Sequence, residues 1–167
     1  MSSRSAGPIV KTLLFGILVP GTVLLLVPYL LLAKNVPQPA GWVNWLALPP
    51  CGLGALILLA CGWDFAVVGQ GTPAPIDPPK TLVVSGLYRF VRNPMYVGIA
   101  LVLLSYALLF SSTRLLLYAL LVVTGFLLFV LAYEEPALRK KFGASYQTYC
   151  QAVPRWIPRL TPWSPEG

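Results

Sequence analysis

Apolar residues fall into four long stretches, at residues 10–33, 42–68, 95–111 and 115–133, with polar residues gathered between and after them. A helix needs about 17–25 largely apolar residues to cross the hydrocarbon core of a bilayer, and each stretch meets or exceeds that length. Only Ser112, Thr113 and Arg114 separate the third stretch from the fourth, so those two form a tight helical hairpin. Pro20 and Pro28 interrupt the first stretch and are expected to kink it, because each removes a backbone donor that the bilayer does not replace. This stretch is also longer than the apolar core of a signal peptide and is not followed by a small-x-small cleavage site, so it reads as a mature helix. The pattern predicts an all-α integral membrane protein with four transmembrane helices.

Composition supports that reading and narrows the chemistry. The chain has 167 residues, 57% hydrophobic and 10% charged, with a mean hydropathy of +0.74. Soluble domains carry about 25% charged residues, so too few polar side chains are present here to cover a wetted surface. The length accommodates one bundle and no second large soluble domain. Histidine is absent, which excludes Ser-His-Asp and Cys-His hydrolysis, HExxH zinc sites and His-ligated haem. Cys51, Cys61 and Cys150 show no CxxC spacing, so packing is the expected role and no metal is expected. Any reaction must draw on carboxylates, arginine, tyrosine or a borrowed cofactor.

The net charge of +7 sorts by side. With four spans and both termini on one face, that face holds Arg4, Lys11, Lys80, Arg89, Arg92, Arg139, Lys140, Lys141, Arg155 and Arg159, against Lys34 and Arg114 opposite. Such a bias places the 69–94 loop, the tail and both termini in the cytoplasm, with the cell inner membrane as the expected location. The positive excess then reads as topology and contact with anionic membrane lipids. Nucleic-acid binding is not expected.

The polar material collects in two segments. Residues 69–94 form a loop whose Gly- and Pro-rich first half precludes regular helix, followed by an extended LVVSGLY. Residues 134–167 contain a stretch at 136–153 in which Leu138, Phe142, Tyr146, Tyr149 and Val153 share one helical face. Two compatible readings follow. One is an interfacial helix on the headgroups, anchored by Trp156 and Trp163. The other is a lid that closes a site against the loop. Two of the five acids, Glu134 and Glu135, stand together where the fourth stretch ends, and ionisable groups at that depth are usually paired or functional. Asp64 and the pair Arg89 and Arg92 lie at comparable positions. The chain thus divides into 1–68, two N-terminal transmembrane helices, and 69–167, a core built from the loop, the hairpin and the C-terminal amphipathic helix.

Two segments, LVVSGLYRFVRNPMYVG and EEPALRKKFGASYQTYCQAVPRWIP, resemble the isoprenylcysteine carboxyl methyltransferases and the related phospholipid N-methyltransferases. The shared pattern is G-x-Y-x-x-x-R-H-P-x-Y-x-G, a membrane helix, E-E, then F-G-x-x-Y-x-x-Y and V-P. It covers residues 80–158, while the first two helices match only in being hydrophobic. The resemblance implies a methyltransferase that binds S-adenosyl-L-methionine at the cytoplasmic face and takes a lipophilic or small-molecule acceptor. The implied cofactor contacts are Lys80, Thr81, Leu82, Val83, Tyr88, Asn93, Pro94, Met95, Tyr96 and Glu134, with Thr72 aligning more loosely. Glu134, Glu135 and Arg92 are the implied catalytic residues. A carboxylate such as Glu134 suits ribose hydroxyls or an amino group, and Arg92 suits a methionyl carboxylate.

Two departures bear on the substrate. Asn93 stands where the family carries histidine, and asparagine does not titrate near neutrality, so this position is no general base. Val130 stands where the isoprenylcysteine enzymes carry an arginine associated with the substrate carboxylate, which favours an acceptor without a carboxylate. Methyl transfer from an activated donor needs mainly alignment and desolvation, with Glu135 or Tyr96 as candidate assistants to a protic nucleophile. Two alternatives remain, the first of which shares the R-x-P-x-Y-x-G and V-P part of the pattern. One is an NADPH-dependent enzyme like the sterol reductases, and the other is a non-catalytic membrane scaffold.

Overall fold

The computed structural model describes residues 18, 20–32, 41–64 and 82–164. Among these the regular secondary structure is all helical, with no strand. Helix α1 comprises a π-helical turn, Thr22–Leu26, running into Val27–Leu32. A short α2, Trp42–Trp45, leads through a turn into α3, Leu48–Asp64. A 3-10 turn at Gly86–Arg89 precedes α4, Pro94–Leu109. Helix α5, Thr113–Phe129, continues through a second π-helical turn, Val130–Glu134, into α6, Glu135–Ala152.

Two continuous helical stretches, Trp42–Asp64 and Thr113–Ala152, are long and apolar enough to cross a membrane. Only 17% of each apolar window is buried within the protein, unlike the mostly buried core helix of a soluble fold. Leu53, Leu56, Leu59 and Trp63 on α3, and Leu117, Leu120, Leu121 and Leu128 on α5, point outward. So large an apolar surface suits a lipid environment. Thr22–Leu32 and Pro94–Leu109 are shorter apolar helices. The latter rises about 24 Å, less than a hydrocarbon core of about 30 Å.

The expected distortion of the first helix is present, and it takes the form of a change in ladder. Pro28 has no N–H, so the ladder steps from i−4 to i−5: the Val27 N–H reaches Thr22 O. The released Val23 carbonyl accepts instead from the Tyr118 hydroxyl of α5 at 3.0 Å. The same sequence logic acts at the other end of α5. Pro136 lacks a donor, and the Glu135 N–H reaches Val130 O.

Helices α3 and α4 pack closest, and two glycines permit it. A Cβ on Gly54 would lie 2.7 Å from Gly98 O, and one on Gly98 would lie 3.0 Å from Gly54 O. This is small-residue packing of the kind that lets membrane helices approach backbone to backbone. Around it, Leu24, Ile99, Val102, Leu103 and Ala119 form a buried cluster joining α1, α4 and α5. At the end of the bundle away from Glu134, the Asn44 amide donates to Leu108 O and Ser111 Oγ, both at 2.7 Å, pinning the start of the second stretch to the turn of the hairpin.

The amphipathic face at 136–153 faces the protein. Leu138, Phe142, Tyr146, Tyr149 and Val153 gather in one cluster that covers Leu82 and Val84 of the loop. They do so across a break, because Gly143 has φ 54° and ψ −126° and separates two helical arms within α6. That conformation is open to glycine and strained for other residues. Trp163 belongs to the same cluster, 5.7 Å from the Tyr149 ring, with its N–H on Arg89 O and its carbonyl accepting from Arg89 Nε. Its ring, still partly exposed, and its backbone thus also take part in the fold.

Candidate functional site

The ends of α3, α4 and α5 and both arms of α6 meet the 82–93 segment at one end of the bundle. Lys80 and Thr81, expected as cofactor contacts, lie outside the described residues, as does Thr72. The other expected positions converge here. Val83 and Tyr88 are buried against Cys61 of α3, with Met95 packed beside them. Gly86, at φ +50°, sits directly against the Asp64 carboxylate, where any Cβ would collide with that group. The turn that carries Tyr88 is thus held on the end of α3. Burial pushes the Tyr88 hydroxyl up from its ordinary value, so it stays protonated.

Successive residues on a helix point about 100° apart, and the two glutamates use this to serve different neighbours. Glu134 Oε2 accepts from the Tyr96 hydroxyl of α4 at 2.7 Å. The Tyr96 ring rests on Phe126, centroids 4.6 Å apart, which fixes the direction of the hydroxyl. Among the described residues no cation pairs with Glu134, and its Oε1 accepts no hydrogen bond. Burial raises this carboxyl above the usual carboxylate range, and the nearby Glu135 charge adds to that, outweighing the stabilising Tyr96 hydrogen bond.

Glu135, 6% exposed, is saturated with cations. Arg155 holds it in bidentate fashion, Nε to Oε1 at 2.6 Å and Nη2 to Oε2 at 3.0 Å. Arg92 Nη1 donates to Oε1 at 3.0 Å, and Arg139 stands 3.9 Å from Oε2. Burial alone would push this carboxyl up, but the Arg155 hydrogen bonds and the charges of Arg92, Arg155 and Arg139 reverse the effect and hold it below the usual range. Arg92 Nη1 also donates to Cys150 Sγ at 2.9 Å, while its buried Nε has no partner among the described residues. Asn93, 7% exposed, donates through Nδ2 to Arg155 O at 3.1 Å, so it joins the tail to the start of α4.

The tail then runs alongside the loop. Arg92 N–H donates to Pro154 O, Arg159 N–H to Phe90 O and Trp163 N–H to Arg89 O, at 2.9–3.0 Å. The Tyr149 hydroxyl donates to Tyr88 O at 2.6 Å. Residues 153–163 thus strap the 88–93 segment from outside. Arg155 and Phe126 were not singled out from the sequence. Arg155 follows V-P inside the quoted motif and carried a readable signal, whereas Phe126 is one of many apolar residues on α5 and carried none.

Chemically, the site offers a half-buried carboxylate with no positive partner among the described residues, a hydroxyl that orients it, and a guanidinium with a donor to spare. Among the described residues no group of three His, Cys, Asp or Glu side chains could hold a metal. Residues 44–145 match the model of the phospholipid methyltransferase family. Over 74 residues the chain is 39% identical to methanethiol S-methyltransferase 2 of Bradyrhizobium diazoefficiens, covering 44% of this chain and 27% of that protein. It is 36% identical over 79 residues to the protein-S-isoprenylcysteine O-methyltransferase of Schizosaccharomyces pombe, covering 47% and 34%. It is also 35% identical over 97 residues to a Delta(14)-sterol reductase of Mus musculus, covering 57% and 23%. The chain thus spans about a quarter to a third of the length of these curated relatives. No solved structure matches the chain. With the matched region running from Asn44 of α2 through both glutamates to Ser145 of α6, the chain belongs to the phospholipid methyltransferase family.

Proposed function

We propose that the protein is an integral membrane methyltransferase that moves a methyl group from S-adenosyl-L-methionine to a lipophilic or small acceptor at the cytoplasmic face of the inner membrane. On this reading α1 and α4, with the residues that adjoin them, complete a four-span bundle whose site end and termini face the cytoplasm. The observation that carries the reading is the Tyr96–Glu134 pair, a half-buried carboxylate whose one described partner is neutral. Such a charge is costly unless a positive group joins it.

The residues present suit the cofactor. It carries positive charge that Glu134 would meet, and a carboxylate that the unpartnered Arg92 Nε suits. Leu82 and Val83, with Lys80 and Thr81 before them, would line the adenine, with Tyr88, Asn93, Pro94, Met95 and Tyr96 closing the remaining sides. When bound, S-adenosyl-L-methionine supplies a methyl group on sulfonium, so the protein needs no metal or acid to activate it. The chain's own work is positional. Tyr96 fixes Oε2 of Glu134 and leaves Oε1 to hold a proton or a hydroxyl. Arg92 and Glu135 serve through the ion cluster that fixes α6 against the loop, and the strap excludes water from the site's outer side.

The test pairs binding with transfer. Glu134→Ala, purified with an unchanged unfolding temperature, is expected to lose labelled methyl transfer to a membrane-lipid extract by about 100-fold or more. Saturable binding of S-adenosyl-L-methionine by calorimetry to the parent protein supports the proposal. Binding of NADPH in its place would favour a reductase like the sterol enzymes, and binding of neither would favour a scaffold.

A further inference from the structure

Resting on the reading above, we propose that Arg155, on the strap, is a positioning residue: acting through Glu135, it fixes the Arg92 guanidinium for the methionyl carboxylate of S-adenosyl-L-methionine.

The side chains form a series of contacts with one loose end. Arg155 grips both oxygens of Glu135, at 2.6 and 3.0 Å. Glu135 Oε1 in turn accepts from Arg92 Nη1 at 3.0 Å. The same Nη1 donates to Cys150 Sγ at 2.9 Å, so one nitrogen of Arg92 is held at two points along α6. The buried Nε of that guanidinium has no partner among the described residues. A planar guanidinium pinned at one nitrogen presents its other donors in a set direction, and a buried donor is costly to leave unpaired. A carboxylate is the group that such a fork suits best.

The backbone of Arg155 is tied to the residues that its side chain serves. Asn93 Nδ2 donates to Arg155 O at 3.1 Å, and Arg92 N–H donates to Pro154 O at 2.9 Å. One strap residue thus holds α6 through its guanidinium and the start of α4 through its main chain, and the ring of contacts closes at Arg92. Arg139 is no substitute on Glu135. It stands 3.9 Å away with 51% of its side chain exposed, against 33% for Arg155 and 10% for Arg92, and exposed pairs of that length contribute little. Without Arg155 the Glu135 carboxylate is free to turn toward Arg139 and solvent, and Arg92 Nη1 loses its fixed partner.

Ligand truncation separates this role from a purely structural one. The probes are S-adenosyl-L-homocysteine, which keeps the carboxylate, and 5′-S-(3-aminopropyl)-5′-thioadenosine, which lacks only that group, titrated by calorimetry into the protein in nanodiscs. Arg155→Met is expected to weaken binding of S-adenosyl-L-homocysteine by about tenfold and to leave the truncated ligand within about twofold. Arg155→Lys keeps the charge without the fork and is expected to show the same selective loss in smaller measure, and it carries the test if Arg155→Met does not fold. In a Glu135→Gln background, adding Arg155→Met is expected to change binding of either ligand by less than about twofold. Equal weakening of both ligands, no weakening of either, or a selective loss that Glu135→Gln leaves undiminished would overturn the inference. If the parent protein binds S-adenosyl-L-homocysteine and the Arg155 variants do not discriminate, only the positioning role falls; if the parent binds neither ligand, the methyltransferase reading falls with it.

Discussion

The chain builds the same backbone device twice and uses it for different ends. In α1 a five-residue π turn ends one residue before the residue preceding Pro28, and in the α5–α6 junction an identical turn stands in the same register to Pro136. In both, proline removes a donor and the ladder shifts to i−5. Within α1 the displaced Val23 carbonyl takes a hydroxyl from Tyr118, and the device stays structural. At the junction the residues in and after the turn are Glu134 and Glu135, and their carboxylates are divided between Tyr96 and a group of arginines. A π turn is therefore a position where the helix redirects side chains, and the neighbours decide whether that becomes a site.

The contrast breaks most severely at Glu135. Glu135→Ala leaves Arg92 buried without its counter-ion and is expected to cost about 3–5 kcal/mol of stability, read from thermal or denaturant unfolding in detergent. Glu134→Ala should act oppositely, on transfer and not on unfolding. If both substitutions merely unfold the protein, the division of labour between them is wrong.

Acid probes the same asymmetry. The folded-state pKa of Glu135 lies below its ordinary value of 4.5, so its stabilising contribution is complete above that value and is lost as pH falls through the folded one. Glu134 is shifted the other way, and its burial weighs against the folded state as pH rises above 4.5 toward its raised value. Unfolding temperatures measured from about pH 7 to about pH 3 should fall on the acid side, and Glu135→Gln should flatten that fall. An unchanged acid limb would remove Glu135 as its cause.

Pro136→Ala restores a donor and allows regular helix through the junction, turning Glu134 away from Tyr96. Methyl transfer is expected to drop by about tenfold, with stability held or slightly raised. Retained activity would show that the second π turn is as purely structural as the first. The smallest effect belongs to α1. Tyr118→Phe orphans the Val23 carbonyl and is expected to cost about 1 kcal/mol without altering transfer.

Parts of this arrangement were legible in advance. Among the described residues the second, third and fourth apolar stretches coincide closely with helices and the hairpin, because a run of apolar residues that long has few other stable forms in lipid. The motif residues that are described meet at one end of the bundle, and the five-residue face from Leu138 to Val153 gave the cluster that covers the loop. Periodicity did not show the break at Gly143, since both arms keep their apolar side inward and the pattern continues across the turn. Nor did it show that Trp163 folds back onto Arg89, because a tryptophan near a membrane end suits both an anchor and a cap. The adjacent glutamates looked equivalent, and nothing in E-E-P says which one pairs with arginine.

Sequence by itself determined the number and extent of the apolar stretches, the family motif, the absence of histidine chemistry and the two prolines that force the ladder to shift. These follow from composition and local covalent constraint, which act without regard to distant residues. Only the tertiary structure decided that Glu135 is neutralised by Arg92 and Arg155 while Glu134 has a hydroxyl as its described partner. Electrostatic roles depend on which charges come within a few ångströms, and that is set by how the tail straps the loop across dozens of residues of intervening chain.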